Sequence, residues 1–196
     1  SGNVTLTAEW VNTVTDSLKI NLDASRTSSL PANSRTWTSI APGSSTLSAT
    51  ANGTTYNSTG GINSLAFDGS SDYLNFGSSS VTSNNGQPYT IETWVNMTSY
   101  ASTNWNIFAS KWFSDTSRNS SSSPSSLEWH FGIYNNELNV YTNNCSLKKY
   151  TLKTFSSSDT NKWFHLAFTV DSSGNLYIYV NGLGERVSTG CTPVSY

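Results

Sequence analysis

The sequence predicts an all-β protein folded as a sandwich of two antiparallel sheets. Apolar and polar residues alternate with a period of two in every periodic segment, which indicates strands with one buried face. Turns rich in Gly, Asn and Asp separate these segments. No stretch has the spacing of a long helix and no internal repeat is evident, so strands alone account for the pattern.

The first part of the chain contains two alternating segments, Val4 to Val11 and Leu18 to Ala24, joined by a polar turn. We predict a strand at each, and the short connection allows them to pair as a hairpin. Residues 41–63 are rich in Gly, Ser, Thr and Asn and are predicted to form surface loop and edge. Residues 113–126 have the lowest complexity in the chain and are predicted to form a long loop.

Two hairpins are predicted in the second half of the chain. Leu127 to Ile133 pairs with Glu137 to Thr142 in the first, and Trp163 to Asp171 pairs with Leu176 to Asn181 in the second. Alternate residues of these strands form the predicted core face, which contains Leu127, Trp129, Phe131, Ile133, Leu138, Val140, Phe164, Leu166, Phe168, Val170, Leu176, Ile178 and Val180. We expect Trp94, Trp129 and Phe168 to be among the most buried side chains.

The opposite face mixes polar groups with aromatic rings. Its predicted members are Glu92, Trp94, Glu128, His130, Asn139, Tyr141, His165, Tyr177 and Tyr179. Such a mixture suits a sugar, whose hydroxyls need hydrogen-bond partners and whose C–H faces stack on rings. The alternative is that loops cover this face and that its aromatic side chains are ordinary packing.

The composition limits the classes of function. Charged residues are 11% of the 196 and the formal net charge is -2, so the chain has no electrostatic footprint for nucleic acid or an anionic membrane. Ser, Thr and Asn fill roughly two fifths of the positions, which favours an extracellular, cell-surface or virion location. No apolar run is long enough to insert into a bilayer. The absence of a signal-peptide pattern at Ser1 fits a processed or a virion-assembled chain.

The two cysteines, Cys145 and Cys191, both follow predicted strands and can meet at one end of a sheet. The composition favours a disulfide, and the alternative is two buried free thiols. Six Asn-x-Ser/Thr sequences are glycosylation sites only if the source is eukaryotic: Asn3, Asn52, Asn57, Asn96, Asn119 and Asn144.

The stretch Ser64 to Met97 resembles the signature of a known family. It contains a short strand, the turn Asp68-Gly69-Ser70-Ser71-Asp72, the segment Tyr73 to Phe76 and the alternating strand Tyr89 to Met97. This order is similar to that of laminin-G-like, concanavalin A-like jelly rolls. The resemblance extends over roughly Leu18 to Val187 and implies a two-sheet jelly roll. It leaves the function open, because this fold is shared by lectins, adhesion modules, glycosidases and virion proteins.

The resemblance raises the question of catalysis. Family 16 glycosidases of this fold carry a Glu-x-Asp-x-Glu pattern, whereas Glu92, Glu128 and Glu137 are isolated here. The nucleophile, P-loop and dinucleotide motifs are also absent, so we predict that the chain is not an enzyme. His130 and His165 fall on the same predicted face without a third ligand, and we interpret them as sheet histidines.

Related domains often hold calcium at the rim of the sandwich, and Asp68 and Asp72 flank a turn that suits this role. Calcium prefers six or more oxygens, so we favour the alternative that Asp68 caps the turn through its side chain. The predicted cofactor is therefore none, with calcium at Asp68 and Asp72 as the exception to test.

Domains that resemble this chain usually end in a further strand, which we do not find after Asn181-Gly182. We predict that residues 1–17 form an extension with one strand, and that residues 18–196 form the jelly roll without its usual closing strand. The strand at Val4 to Val11 can fill the open edge of its own domain, or it can fill that of a neighbouring copy and build a fibre.

The predicted function is a non-catalytic module at the outside of a cell or virion, for adhesion or glycan recognition. The first alternative is a structural subunit of a filament, fibre or capsid, and a glycan-active enzyme is a distant third. The partners are surface glycans or neighbouring copies of the chain, with no nucleic acid and no membrane insertion. The predicted ligand contacts are the rim aromatics Tyr100, Trp105 and Trp112 and the face residues Glu92, His130, Tyr141, Tyr177 and Tyr179.

Overall fold

The computed structural model describes residues 18–42, 47–58, 62–77, 87–100, 104–112, 127–142 and 145–191, without the side chains of Trp112, Leu127 and Glu128. This part of the chain forms strands joined by turns, with one single-turn 3-10 helix at Ser157–Asp159. The strands are β1 Thr36–Thr38, β2 Ser48–Asn52, β3 Thr55–Asn57, β4 Ser64–Ala66, β5 Tyr73–Asn75, β6 Tyr89–Asn96, β7 Asn106–Trp112, β8 Leu127–Tyr134, β9 Glu137–Thr142, β10 Ser146–Thr154, β11 Trp163–Val170, β12 Leu176–Val180 and β13 Leu183–Ser188. The prediction of an all-β antiparallel protein is confirmed.

The chain divides into two compact units, residues 1–82 and residues 83–196. In the first unit, β1, β2 and β5 form a three-stranded antiparallel sheet with β2 at its centre, and β3 pairs with β4. Ala49 and Ala51 of β2 are buried, whereas Thr50 between them is exposed. The prediction that residues 41–63 are surface loop and edge is therefore wrong for β2, which is a central strand, whereas β3 is exposed and is an edge strand paired only with β4.

The predicted strand from Leu18 to Ala24 is not a strand in the structure. Asn21 makes two hydrogen bonds to the segment after β1, but its N–H donates to the Ser39 hydroxyl at 3.0 Å and only its carbonyl accepts a backbone N–H, from Ile40 at 2.8 Å. The alternating backbone hydrogen bonds of a β-ladder do not continue from Asn21, because the Ser39 hydroxyl takes the place of a backbone carbonyl as the acceptor. The predicted strand at Val4 to Val11 lies outside the described residues.

The second unit contains two four-stranded antiparallel sheets. The first sheet has the order β10-β9-β8-β7, and the second sheet has the order β13-β12-β11-β6. The predicted hairpins are confirmed as β8 with β9 and β11 with β12. The strands β10 and β13, which we did not predict, form one edge of each sheet. The predicted loop at residues 113–126 lies outside the described residues.

The two sheets pack against each other through one apolar core. Phe131 of β8 and Phe168 of β11 are fully buried, and their ring centroids lie 5.3 Å apart across the core. Every member of the predicted core face whose side chain is described is buried: Trp129, Phe131, Ile133, Leu138, Val140, Phe164, Leu166, Phe168, Val170, Leu176, Ile178 and Val180. This contact of two apolar faces is the sandwich that the period of two predicted.

The expected burial is confirmed for Trp129 and Phe168 but is wrong for Trp94, whose residue is 63% exposed. Burial alternates along β6, and Tyr89, Ile91 and Val95 pack against the core. Trp94 has the opposite parity, so its side chain points away from the core with that of Glu92.

A disulfide joins Cys145, after β9, to Cys191, after β13, with the Cα atoms 5.1 Å apart. Each end is also held by its backbone, because Cys145 N–H donates to the Thr142 carbonyl at 3.0 Å and Cys191 N–H donates to the Gly174 carbonyl at 2.8 Å. The predicted pairing is present, and it links the first sheet to the end of the second.

The edge strands β10 and β13 are also connected by side chains. Thr151 donates twice to Glu185, from its N–H to Oε2 and from its hydroxyl to Oε1, both at 2.6 Å. The Tyr150 hydroxyl donates to the Leu183 carbonyl at 3.1 Å. We call these contacts the Glu185 clamp.

Candidate functional site

The polar and aromatic residues predicted to share one face lie on two different surfaces. Both sheets turn their apolar side chains to the common core, so their other side chains point away from each other, on opposite sides of the sandwich. Glu92, Trp94, His165, Tyr177 and Tyr179 belong to the second sheet, and His130, Asn139 and Tyr141 belong to the first. The prediction of one face is wrong because parity separates inside from outside but does not assign a strand to a sheet.

The outer surface of the second sheet is centred on Trp94. Its cross-strand neighbour is His165, with 5.2 Å between the ring centroids. The His165 Nε2 atom lies 3.4 Å from Oε2 of Glu92, whose side chain is 66% exposed. We call this surface the Trp94 face and define it by Thr90, Glu92, Trp94, His165, Thr169, Tyr177 and Tyr179.

Two tyrosines form the other half of the Trp94 face. The rings of Tyr177 and Tyr179 are stacked, with centroids 6.3 Å apart and planes at 28°. A Cβ atom on Gly184 of β13 would collide with the Tyr179 ring, so this ring occupies the space that a side chain at Gly184 would fill. Gly184 is a positioning residue that we did not predict, and its signal in the sequence is only a glycine inside an alternating strand.

Hydroxyl groups lie at the end of this face. The Thr90 and Thr169 hydroxyls are 2.8 Å apart across β6 and β11. The Trp94 face therefore presents an exposed indole, a carboxylate, an imidazole, two hydroxyls and two phenol rings. Because these groups project from regular strands, the backbone fixes their spacing.

The outer surface of the first sheet is a packed aromatic cluster. Trp105 stacks on Tyr134 at 5.1 Å and contacts His130 at 4.3 Å, and the Tyr141 ring lies 5.3 Å from that of His130. His130 is 9% exposed, neither of its ring nitrogens has a hydrogen-bond partner, and burial lowers its pKa. For this surface the alternative of ordinary packing is the better description.

Several predicted contacts are less accessible than expected. Tyr100 packs against the core, its hydroxyl donates to the Asp159 carbonyl at 3.3 Å, and burial raises its pKa. Trp105 is only partly exposed. Both were predicted to be exposed rim aromatics, and that prediction is wrong. The side chain of Trp112 lies outside the described part of the chain. His130 and His165 belong to different sheets and do not share a face.

The turn at Asp68 and Asp72 is held by its own carboxylates. Asp68 Oδ1 accepts the N–H groups of Ser70, Ser71 and Asp72 at 2.8 to 3.0 Å, and Oδ2 accepts the Ser71 hydroxyl at 2.8 Å. These hydrogen bonds hold the pKa of Asp68 well below its usual range, and the one from the Ser70 N–H has the largest effect. Asp72 Oδ2 in turn accepts the Asp68 N–H at 2.9 Å.

This geometry fits the predicted turn cap better than a calcium site. Both oxygens of Asp68 already accept protein donors, whereas calcium requires six or more oxygens. Among the residues that the structure describes, no three His, Cys, Asp or Glu side chains are grouped as metal ligands. Of the predicted glycosylation sites, Asn52 is partly exposed and Asn57 and Asn96 are exposed, and the other three are not described.

A second polar surface, which we did not predict, lies in the first unit. Ser48, Thr50 and Asn52 alternate along β2 and face the same side as Tyr73 and Asn75 of β5. The alternation was present in the sequence, but alanine is so small that Ala49 and Ala51 do not stand out as a buried apolar row.

The fold and these surfaces define a β-sandwich module of the lectin-like kind. The chain matches the Laminin_G_3 family model, described as the Concanavalin A-like lectin/glucanases superfamily, over residues 68–195. This match covers more than half of the chain, and the chain belongs to that family. No curated protein and no solved structure matches it. Within the described residues, no helix is long and apolar enough to span a membrane.

Proposed function

We propose that the chain is a non-catalytic glycan-recognition module that acts at the outside of a cell or virion and binds sugars on the Trp94 face. The observation that carries the proposal is the 63% exposure of Trp94 in the middle of a regular strand, beside a carboxylate and an imidazole. Single exposed apolar residues are common on protein surfaces. An exposed indole surrounded by fixed polar groups is a more specific arrangement.

A sugar matches this arrangement in both of its chemical parts. The C–H groups on one face of a pyranose ring can cover the indole of Trp94 and remove apolar area from water. Its hydroxyls can donate to Glu92, whose carboxylate is an acceptor, and exchange hydrogen bonds with Thr90 and Thr169. Tyr177 and Tyr179 extend the aromatic surface to the neighbouring strand, so the face has room for more than one sugar unit.

The same face supports binding rather than hydrolysis. A retaining glycosidase places two carboxyl groups about 5 Å apart. Among the described outward-facing residues of the second sheet, Glu92 is the one carboxylate, and its ion-pair partner is the His165 imidazole at 3.4 Å. The acid and nucleophile pair is therefore not formed on this surface.

The proposed location and role follow from the same features. The disulfide between Cys145 and Cys191 suits an oxidising compartment. A module outside the cell that recognises surface glycans would act in adhesion.

A glycan array with the intact chain tests the proposal. We expect binding to one class of glycan, and we expect Trp94→Ala to weaken it by about tenfold or more, which corresponds to the loss of one stacked ring. Leu152→Ala is the matched control, because Leu152 is 57% exposed on the first sheet. Equal binding by the Trp94 variant and the wild type would contradict the assignment of the face, and a folded chain that binds no glycan would contradict the function.

The alternative of a structural subunit assembled by strand addition stays a prediction. It depends on residues 1–17, which are not described, and no contact in the described part of the chain favours it. Deleting residues 1–12 tests it: an unchanged melting temperature and an unchanged mass in light scattering would exclude strand exchange by this segment.

A further inference from the structure

The three-stranded sheet of the first unit has two chemically different faces. Trp37, Ala49, Ala51 and Leu74 lie on one face, and Ala49 and Ala51 are almost completely buried. The register places Thr50 opposite Asn75, and Asn52 opposite Tyr73, on the other face. This second face is polar, and it forms an open groove of about 510 Å³, lined by Ser48, Thr50, Asn52, Tyr73, Asn75, Phe76 and Gly77.

The groove offers hydrogen-bonding groups that no other residue in the described part of the chain occupies. The Ser48 and Thr50 hydroxyls have no partner among the described residues. The Asn75 Oδ1 atom accepts the Gly77 N–H at 2.7 Å, which orients the amide and leaves the two N–H donors of its Nδ2 atom unpaired within the described chain. These groups stand on adjacent strands, so their spacing is set by the ladder between β2 and β5.

The charge of the groove limits the ligand to an uncharged one. None of the lining residues carries a charge at neutral pH. The nearby Asp72 carboxylate accepts the Asp68 N–H at 2.9 Å and is therefore engaged in its own turn. An ionic ligand would lose its hydration here without gaining an opposite charge, whereas a neutral polar ligand could replace water at each unpaired group.

An aromatic ring completes the lining. Tyr73, the first residue of β5, is 52% exposed, and Phe76, which follows the last residue of β5, lines the groove at the other end of that strand. The volume falls in the range of roughly 300 to 1,000 Å³ that is usual for small-ligand sites. From the uncharged lining, the available Asn75 Nδ2 donors and hydroxyls, and the exposed ring, we infer that this groove is a second binding site, for a neutral oligosaccharide.

This site belongs to the first unit and is separate from the Trp94 face, so it does not depend on the proposed function. The two surfaces are therefore tested by separate experiments.

Amide chemical-shift titrations test the inference on ¹⁵N-labelled chain that carries Trp94→Ala. The probes are chitotriose and cellotriose, which are neutral, and trigalacturonate, which is the anionic comparison. We expect one of the neutral trisaccharides at millimolar concentration to shift the amides of β2 and β5, including the Asn75 side chain, and trigalacturonate to leave them unchanged.

Two further variants identify the contacts. We expect Tyr73→Ala to weaken binding about tenfold, and Tyr56→Ala to leave it unchanged, because Tyr56 is 39% exposed but does not line the groove. Thr50→Val keeps the shape of the exposed side chain and removes its hydroxyl, so it should also weaken binding. Because the shape is kept, we expect this variant to fold even if Tyr73→Ala does not.

The outcomes separate the two proposals. The groove is excluded as a site if neither neutral probe shifts the amides of β2 and β5, or if trigalacturonate shifts them equally. It is also excluded if Tyr73→Ala binds as tightly as Tyr56→Ala. Where Tyr73→Ala does not fold, Thr50→Val takes its place in this comparison. The Trp94 face is judged separately by the array, where wild type and Trp94→Ala are compared.

Discussion

Replacing Cys145 and Cys191 by alanine should cost the protein about 4 kcal/mol of unfolding free energy. The disulfide closes a loop with a sequence separation of 46 residues. The chain-entropy relation for a loop of this length gives about 13 to 14 cal/mol/K, or about 4 kcal/mol at 25 °C, through restriction of the unfolded chain. Cys145 and Cys191 are 7% and 2% exposed, so the loss of the buried sulfur atoms adds to this value.

Urea unfolding followed by tryptophan fluorescence measures this loss, and thermal unfolding should show a decrease in Tm of about 8 to 16 °C. Wild-type protein unfolded in a reducing agent is the matched control, because it loses the same loop closure but keeps both sulfur atoms. Alkylation without prior reduction should label no thiol. A stability change below about 1 kcal/mol, or two labelled thiols in the native protein, would show that the bond does not constrain the unfolded chain.

Three other predictions concern stability. Trp129→Ala should lower the unfolding free energy, measured in urea, by about 3 to 5 kcal/mol, because Trp129 is 5% exposed in the core. Trp94→Ala, at a position that is 63% exposed, should lower it by less than about 1 kcal/mol, and the reverse order would show that the two faces of the sheet are inverted. The Asp159 carboxylate accepts hydrogen bonds from the Lys153 ammonium at 2.8 Å and the Ser156 N–H at 3.0 Å, and these contacts lower its pKa. The stability that the ionised carboxylate contributes is present above the unfolded-state pKa and is lost as the pH falls through the folded-state pKa. Asp159→Asn should therefore reduce the loss of unfolding free energy at acidic pH, and an unchanged loss would contradict this. A chelator should leave the Tm unchanged, since the Asp68 carboxylate already accepts four protein donors, and a decrease reversed by calcium would restore the calcium hypothesis.

The core strands could be predicted from the sequence because their inward residues are large. Trp129, Phe131 and Ile133 alternate in β8, and Phe164, Leu166 and Phe168 alternate in β11, so the buried face is clear. β2 alternates too, but its buried residues are alanines. β10 was missed for another reason: its register with β9 shifts between Lys149 and Thr154, and this irregularity breaks the period of two.

The site was harder to predict than the core. The parity of Trp94 and Glu92 placed both on an outward face, whereas we also expected Trp94 to be among the most buried side chains, and the parity describes the structure better. The separation of His130 from His165 depends on which strands share a sheet, and this pairing involves residues far apart in the chain. The orientation of Tyr179 over Gly184 depends on a single cross-strand contact that no local pattern encodes.

The Glu185 clamp has a consequence for how copies of this protein meet. β10 is a nine-residue strand at the edge of its sheet, with Leu147 and Leu152 exposed at 42% and 57%. An exposed edge strand is a template on which a strand of another molecule can align and begin to aggregate, and Lys148, Lys149 and Lys153 of β10 already oppose this. Here the carboxylate of Glu185 already occupies the N–H of Thr151 in the middle of that edge. An incoming strand would have to displace this charged acceptor before it could pair, so Glu185 adds a backbone block to the charge of the lysines and lowers the tendency of copies to aggregate through β10.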